Sequence, residues 1–206
     1  MLLLLKEENN LQILFEIRSK SISQGGEICL PGGRVDKDKD EDTIYDIVFR
    51  ELKEELNISP SEVEILGKLP TIIAPMGTVV DSIVGVINKK IEEIQFNAYE
   101  VESIFALPLQ FFIVNLPQKF HVEIKIHPTK FNEATQREEI LLPIEDLGIS
   151  ERYKRPWGNL KYNVYAYKTA YGTIWGITAR IIANFVSLKL IMQIKKDYNI
   201  KGQLNT

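Results

Sequence analysis

The sequence predicts a mixed α/β protein whose strands and helices pack as layers in one domain that comprises residues 1–206. The first observation behind this prediction is that short apolar runs, typical of β-strands, dominate the middle of the chain. The second is that two stretches with helical periodicity flank them, one early and one late. No internal repeat, low-complexity tract or linker divides the chain, which favours one domain over two.

The predicted strands are short and are separated by turn-forming residues. Ranges 2–5 and 11–17 are apolar and enclose a polar segment at 7–10, which indicates two strands joined by a tight turn. Residues 24–42 are rich in Gly, Pro and Asp, which predicts a loop. Further strands are predicted at 63–66, 71–73, 79–87, 120–126 and 162–167.

The early helix is predicted over 43–56, a stretch without Gly or Pro. Its apolar positions recur every four residues, at Ile44, Val48, Leu52 and Leu56. Asp42 or Thr43 is expected to cap its first turn. A short helix is expected after Pro108, because proline is favoured at the start of a helix.

The late helix is predicted over 174–195, in the most apolar long stretch of the chain, and Trp175 is expected to lie in the core. Arg180, Asn184 and Lys189 fall within this stretch, and polar groups of this kind are costly in a bilayer. We therefore predict that the protein has no membrane partner. No segment has the pattern of an export signal, so a cytoplasmic protein is expected.

Composition argues against several functional classes. The chain has 25 basic and 28 acidic residues and a formal net charge of -3, whereas dedicated nucleic-acid binders usually carry a strong basic excess. The single cysteine, Cys29, excludes an internal disulfide and a zinc site with two thiolates. It lies in an apolar run with no histidine nearby, which indicates a small buried side chain rather than a nucleophile.

Three glutamates of the early helix carry the chemistry. Glu51, Glu54 and Glu55 have the spacing i, i+3 and i+4, which places them on one helix face, and we expect that face to be open. Like charges at this spacing repel one another, and a hard divalent cation with oxygen ligands removes the repulsion. The alternative interpretation is a solvated acidic face that is partnered by Arg50 and Lys53.

Together with the glycine pair Gly32-Gly33, the segment 50–58 resembles the Nudix box of nucleoside-diphosphate-linked-moiety hydrolases, G-x5-E-x7-R-E-U-x-E-E-x-G-U with U aliphatic. The matching residues are Arg50, Glu51, Leu52, Glu54, Glu55 and Ile58. Asn57 replaces the last glycine of the box, Asp42 stands in place of its first glutamate, and the interval from the glycine pair to the arginine is longer. Asn is compatible with this position because it also adopts the left-handed conformation that ends many helices.

The resemblance implies a fold and a chemistry. The fold is the Nudix α/β/α sandwich, a mixed sheet between helices, and the reaction is hydrolysis of a diphosphate with Mg²⁺ or Mn²⁺ as cofactor. The implied metal ligands are Glu51, Glu54, Glu55 and the main-chain carbonyl of Gly33, which has no Cβ to block the approach. Arg50 is expected to orient the glutamates by charge-assisted hydrogen bonds.

The general base is expected to be Glu51 or a remote carboxylate. Two remote residues are candidates, Glu100 and Glu102, and the sequence does not choose between them. The predicted catalytic residues are therefore Arg50, Glu51, Glu54, Glu100 and Glu102.

Three further segments, 17–33, 100–109 and 174–185, resemble the coenzyme A pyrophosphatase branch of the family. This resemblance implies that coenzyme A or an acyl derivative is cleaved to 3′,5′-ADP and the 4′-phosphopantetheine moiety. Two alternatives stay open. One is another Nudix substrate, such as ADP-ribose or a dinucleoside polyphosphate, and the other is a non-catalytic Nudix module that senses a ligand.

A coenzyme A site must also accept the ribose 3′-phosphate, so basic side chains should converge near the adenosine end of the substrate. Arg18, Arg34 and Lys125 are the candidates, and for each the alternative is a solvated surface charge. The expected partner is thus a small-molecule diphosphate and not a nucleic acid. The sequence leaves the oligomeric state open, with a homodimer as one option.

Two other patterns do not carry the function. The acidic loop at 36–41 begins like a calcium-binding EF-hand, but Glu41 occupies the position of the turn glycine and Ile47 that of the final glutamate. We therefore reject a calcium loop. His121 and His127 are interpreted as surface or core residues rather than metal ligands.

Overall fold

The computed structural model describes residues 1–7, 10–35, 43–75 and 77–188. The strands are β1 (Leu2–Glu7), β2 (Asn10–Arg18), β3 (Ile28–Cys29), β4 (Val63–Lys68), β5 (Ile72–Ile73), β6 (Val79–Val80), β7 (Ile83–Ile87), β8 (Val101–Pro108), β9 (Gln118–Ile126), β10 (Thr129–Asn132), β11 (Arg137–Ile140), β12 (Trp157–Thr169) and β13 (Gly172–Trp175). The α-helices are α1 (Ile44–Leu56), α2 (Leu109–Val114) and α3 (Gly176–Ser187).

The main sheet has six strands and mixed pairing. The order is β3-β2-β1-β7-β4, with β8 along the other edge of β2. β1 and β7 pair in parallel. The other pairings are antiparallel: β2 pairs with β1 and with β8, and β4 pairs with β7. β1 pairs with the first half of β2, and β3 pairs with its second half through Glu16 and Cys29. The short strand β3 therefore places the chain at one end of the sheet, beside the second half of β2.

The core has two layers because the side chains of β1 alternate between the faces of the sheet. Leu2 and Leu4 pack in one cluster together with residues of α2 and α3, and Leu3 and Leu5 pack in a second cluster with residues of α1. All four leucines are fully buried. The sheet thus lies between α1 and the pair α2 and α3, which confirms the predicted α/β/α sandwich.

Helix α1 has defined ends. The N–H of Thr43 donates to the carboxylate of Asp46 at 3.0 Å, which forms a capping box at the first turn. Thr43 is therefore the cap, and Asp42 lies outside the described residues. Asn57 ends the helix with φ 52°, and its N–H bonds back to the carbonyls of the last turn. Asn57 thus serves as the left-handed C-cap that the sequence predicts.

Two predicted elements differ from the structure. The strand predicted over 79–87 is two strands, β6 and β7, interrupted at Asp81, whose carboxylate bonds to Lys68 at 2.9 Å. The helix predicted over 174–195 begins at Gly176, because the preceding residues pair with β12 as strand β13. Gly176 has φ 64°, a conformation that glycine adopts without strain and that ends the strand. The part of the prediction beyond 188 lies outside the described residues.

Trp175 is not a core residue, so that prediction is wrong. It is the last residue of β13, and successive side chains of a strand point to opposite faces. Ile174 takes the core side and is fully buried, which leaves Trp175 on the other side with 50% of its surface exposed.

We expect Trp175→Ala to lower the free energy of unfolding by about 1 kcal/mol or less, since little buried surface is lost. Phe112→Ala is the control, because Phe112 is fully buried and such truncations cost about 3–5 kcal/mol. Urea denaturation of the two variants and the parent measures both values. A loss for Trp175→Ala as large as that for Phe112→Ala would contradict the exposed position.

The described chain contains two compact units. One comprises the described residues within Met1–Lys119 and Tyr165–Thr206, and the other is Phe120–Val164. The second unit contains the hairpin of β10 and β11 and a network in which Lys154 bonds to Glu145 at 2.6 Å and to Glu151 at 2.9 Å. The single domain predicted from the sequence stays a prediction. No helix among the described residues is long and apolar enough to span a membrane.

Candidate active site

The candidate site lies where α1 faces the turn that follows β3. Glu51 and Glu55 are both buried there, with 9% and 5% of their surfaces exposed. Glu54 lies outside, and 45% of its side chain is exposed. The expectation that all three share an open face is therefore wrong. At about 100° per residue, Glu54 and Glu55 diverge by a quarter-turn, which is enough to separate a buried position from an exposed one.

The buried carboxylates pack directly on the glycine turn. The N–H of Gly32 donates to Oε2 of Glu55 at 2.8 Å. Gly32 has φ 140°, which favours glycine, and a Cβ on Gly33 would overlap the carboxylate of Glu51. Glycine is thus favoured at each position for a different reason, at Gly32 by the backbone conformation and at Gly33 because a Cβ would force the carboxylate of Glu51 to move. The proposed role of the Gly33 carbonyl as a metal ligand stays a prediction.

Arg50 joins the buried and the exposed parts of the site. Its guanidinium contacts Glu51 at 2.9 Å and Glu54 at 3.0 Å, and it donates to the carbonyl of Arg34 at 3.5 Å. Charge-assisted contacts of this kind fix the orientation of carboxylates. The geometry therefore supports an orienting role for Arg50 at the border between the helix and the loop.

Burial sets the electrostatics of the two inner glutamates. It raises the pKa of Glu55 to about 7, the N–H of Gly32 opposes this rise, and the charge of Glu51 adds to it. Burial also raises the pKa of Glu51, against the attraction of Arg50. Both pKa values are raised, which means that the ionised form of each carboxyl group is unfavourable at its buried position. A cation held between these oxygens would reverse that preference, so the donor set fits a hard divalent metal.

Within the described ranges, no three His, Cys, Asp or Glu side chains already converge on one point as a metal cage. Oxygen is the donor atom that Mg²⁺ and Mn²⁺ prefer, and carboxylates supply it here.

Glu16 is a buried acid of the site that the sequence analysis missed. It lies on β2, is only 1% exposed and pairs in register with Cys29. Burial raises its pKa well above the ordinary glutamate value, and the charge of Glu55 raises it further. The signal in the sequence was an acidic residue within an apolar strand. Such a residue is unusual because glutamate is seldom fully buried.

The two candidates for a remote base lie in different surroundings. Glu100 is half-buried, and its negative charge contributes to the raised pKa values of Glu51, Glu55 and Glu16. Glu102 is exposed, and its carboxylate contacts Lys20 at 3.4 Å. Of the two, Glu100 therefore interacts with the buried glutamates.

The three predicted contacts for a 3′-phosphate are dispersed. Arg18 lies near Glu16 and donates to the carbonyl of Ser23 at 3.0 Å. Arg34 is exposed directly after the glycine turn. Lys125 belongs to the unit Phe120–Val164 and contacts Glu123 at 3.2 Å. The structure thus brings Arg18 and Arg34 to the region of the glutamates, and the role of Lys125 stays a prediction.

Cys29 has the surroundings of an inert thiol. Burial raises its pKa to about 12, with Glu16 adding to the rise and Arg18 opposing it. Since only the thiolate is nucleophilic, we expect iodoacetamide at pH 8 to alkylate the folded protein at least about tenfold more slowly than the urea-unfolded protein. Mass spectrometry over time measures both rates. Equal rates would show that the fold does not protect this partly buried thiol.

Comparison with known proteins places this site in a family. The model of the NUDIX domain matches residues 2–110. A peroxisomal coenzyme A diphosphatase of Mus musculus is 32% identical over 111 residues, which cover 53% of this chain and 46% of that protein. An uncharacterized Nudix hydrolase of Escherichia coli O7:K1 is 31% identical over 160 residues, which cover 76% of this chain and 64% of that protein.

Among solved structures, a Caenorhabditis elegans Ap4A hydrolase binary complex is similar with a TM-score of 0.43 and 21% identity, over 53% of this chain and 77% of that one. The chain spans about half the length of the mouse diphosphatase (46%). The matched range 2–110 contains β1 to β8, the helix α1 and the glycine turn that holds its glutamates. The chain belongs to the Nudix family.

Proposed function

We propose that this protein is a divalent-cation-dependent hydrolase that cleaves the diphosphate of coenzyme A or an acyl-coenzyme A. The products are 3′,5′-ADP and the 4′-phosphopantetheine moiety. The observation that carries the proposal is the pair Glu51 and Glu55, which are buried against Gly32 and Gly33 although burial raises the pKa of both carboxyl groups.

The residues proposed to hold Mg²⁺ or Mn²⁺ are Glu51, Glu54 and Glu55, with the main-chain carbonyl of Gly33. Two of the glutamates are buried and one is exposed at the border of the site, so the set has an inner and an outer side. When bound, a divalent cation neutralises charge on the diphosphate and activates water for hydrolysis.

The protein's own groups position the reaction. Arg50 holds Glu51 and Glu54 in place through contacts of 2.9 and 3.0 Å, and the N–H of Gly32 fixes one oxygen of Glu55. A carboxylate must accept the proton of the attacking water. Glu51 and Glu100 are proposed for this step, and Glu100 is preferred to Glu102 because its charge acts on the buried glutamates.

We propose coenzyme A rather than another diphosphate as the substrate for two reasons. The segments 17–33, 100–109 and 174–185 resemble those of coenzyme A pyrophosphatases, and a coenzyme A diphosphatase is 32% identical to this chain over 111 residues. Arg18 and Arg34 are proposed to contact the ribose 3′-phosphate. Arg18 is the last residue of β2, and Arg34 directly follows the glycine turn.

The substrate is tested by comparing coenzyme A, 3′-dephospho-coenzyme A and ADP-ribose at equal concentrations with the same metal. We expect coenzyme A to have the highest kcat/KM, and Arg34→Ala to reduce its advantage over the dephospho form, since the charge that reads the 3′-phosphate is gone. Lys20→Ala is the control, because Lys20 is an exposed cation that contacts Glu102. A preference for ADP-ribose would assign a different substrate, and no cleavage of any diphosphate would favour a ligand-sensing module.

A further inference from the structure

Glu16 occupies the face of the sheet that packs on α1. Its neighbour Phe15 points into the cluster with α2 and α3, whereas Leu14 points into the cluster with α1. Because side chains alternate along a strand, Glu16 shares the side of Leu14. It therefore faces the helix that carries Glu51 and Glu55.

One carboxylate oxygen of Glu16 has no hydrogen-bond partner among the residues that the structure describes. This oxygen, Oε1, is buried, while Oε2 accepts from the thiol of Cys29 at 4.0 Å. The nearest positive groups, the α-amino group of Met1 and the guanidinium of Arg18, attract Glu16 by their charge, but the hydrogen bonds they donate go to the carbonyls of Pro31 and Ser23 and not to Oε1. A buried carboxylate oxygen without a partner is costly, so a purely structural role does not account for it.

We propose that Glu16 is a further metal ligand, which binds the divalent cation from the sheet while Glu51 and Glu55 bind it from the helix. The inference rests on the proposed function only in requiring that a cation binds this site. The cation would supply the missing partner of Oε1, and the short strand β3 with the glycine turn brings the sheet and the helix together at this point. Oxygen ligands from two layers also enclose a cation better than one helix face alone.

The test is the affinity of the metal-free protein for Mn²⁺, measured by isothermal titration calorimetry without any substrate. We expect Glu16→Gln, which keeps the shape and removes the charge, to raise the Kd for Mn²⁺ at least about tenfold. Glu7→Gln is the matched control, since Glu7 is a partly buried glutamate on the adjacent strand β1 that accepts a hydrogen bond from Gln12. An affinity of Glu16→Gln within twofold of the parent would overturn the proposal.

A second measurement separates a ligand from a structural residue. In EDTA we expect Glu16→Gln to melt at the same temperature as the parent or higher, because a buried charge without a partner is removed. In excess Mn²⁺ we expect a smaller rise in Tm for the variant than for the parent. A lower Tm in EDTA together with an equal rise in Mn²⁺ would show that Glu16 only supports the fold.

Should Glu16→Gln fail to fold, Glu16→Asp takes its place, because it keeps the charge but withdraws it by one methylene group. Weaker Mn²⁺ binding by Glu16→Asp supports the proposal, and unchanged binding contradicts it. These outcomes are independent of the substrate. If Glu16→Gln loses Mn²⁺ while the parent cleaves ADP-ribose instead of coenzyme A, the ligand assignment stands and the substrate proposal fails.

Discussion

Glu55→Gln is expected to lower kcat for coenzyme A at least about 100-fold at saturating Mg²⁺, while the protein stays folded. The substitution removes the charge of a buried carboxylate that we propose as a metal ligand, and the loss of ligand charge costs both metal affinity and the stabilisation of the reacting diphosphate. The amide keeps the size of the side chain, and its oxygen still accepts from the N–H of Gly32. Steady-state kinetics and circular dichroism measure the two effects.

Glu54→Gln is expected to lower turnover as well, and without any cost to packing, because Glu54 is exposed. Glu92→Gln is the control, since Glu92 is an exposed glutamate in the 3₁₀-helix at Ile91–Glu93 and should leave kcat unchanged. Near-native turnover of Glu54→Gln or Glu55→Gln at saturating metal would show that the metal ligands are assigned wrongly.

Gly33→Ala is expected to lower kcat at least about tenfold, although it adds only one methyl group. The new Cβ would overlap the carboxylate of Glu51, so either the carboxylate or the turn must move. Displacement of a positioned catalytic group by about 1 Å can cost about 100-fold in rate. Turnover with coenzyme A and the Kd for Mn²⁺ are the measurements, and both should worsen.

Gly148→Ala is the matched control for this glycine. Gly148 has φ 61° and open space around its Cβ position, in the unit Phe120–Val164. Its replacement is expected to destabilise the protein by about 1–2 kcal/mol through backbone strain but to leave kcat unchanged. If Gly33→Ala behaves like Gly148→Ala, losing stability alone, then the close packing of Gly33 on Glu51 has no catalytic role.

The elements best predicted from the sequence are those with a strong local signal. The four-residue period and the capping residues located α1 within one residue at its start, and the apolar runs located β1 and β2. The end of β13 could not be found in this way. Its apolar residues continue into α3 without a change of composition, and only Gly176 marks the boundary.

The roles of the candidate site residues stay predictions, and their burial differs from what the sequence indicated. Helical spacing gives the angle between Glu51, Glu54 and Glu55, but the position of the turn at Gly32 decides which of them are buried. Glu16 was missed because its proximity to Glu55 arises from the pairing of β2 with β3, a contact that no local pattern encodes. Side-chain burial at this site is thus a property of tertiary packing.

Removal of the metal tests the central claim, which is that the buried glutamates bind a divalent cation and that hydrolysis of the diphosphate depends on this cation. The measurement is the release of 3′,5′-ADP from coenzyme A, followed by chromatography, first in EDTA and then after excess Mg²⁺ or Mn²⁺ is added. We predict no product in EDTA, full recovery in the parent, and no recovery in Glu55→Gln. Continued hydrolysis in EDTA, or recovery of Glu55→Gln to the rate of the parent, would contradict it.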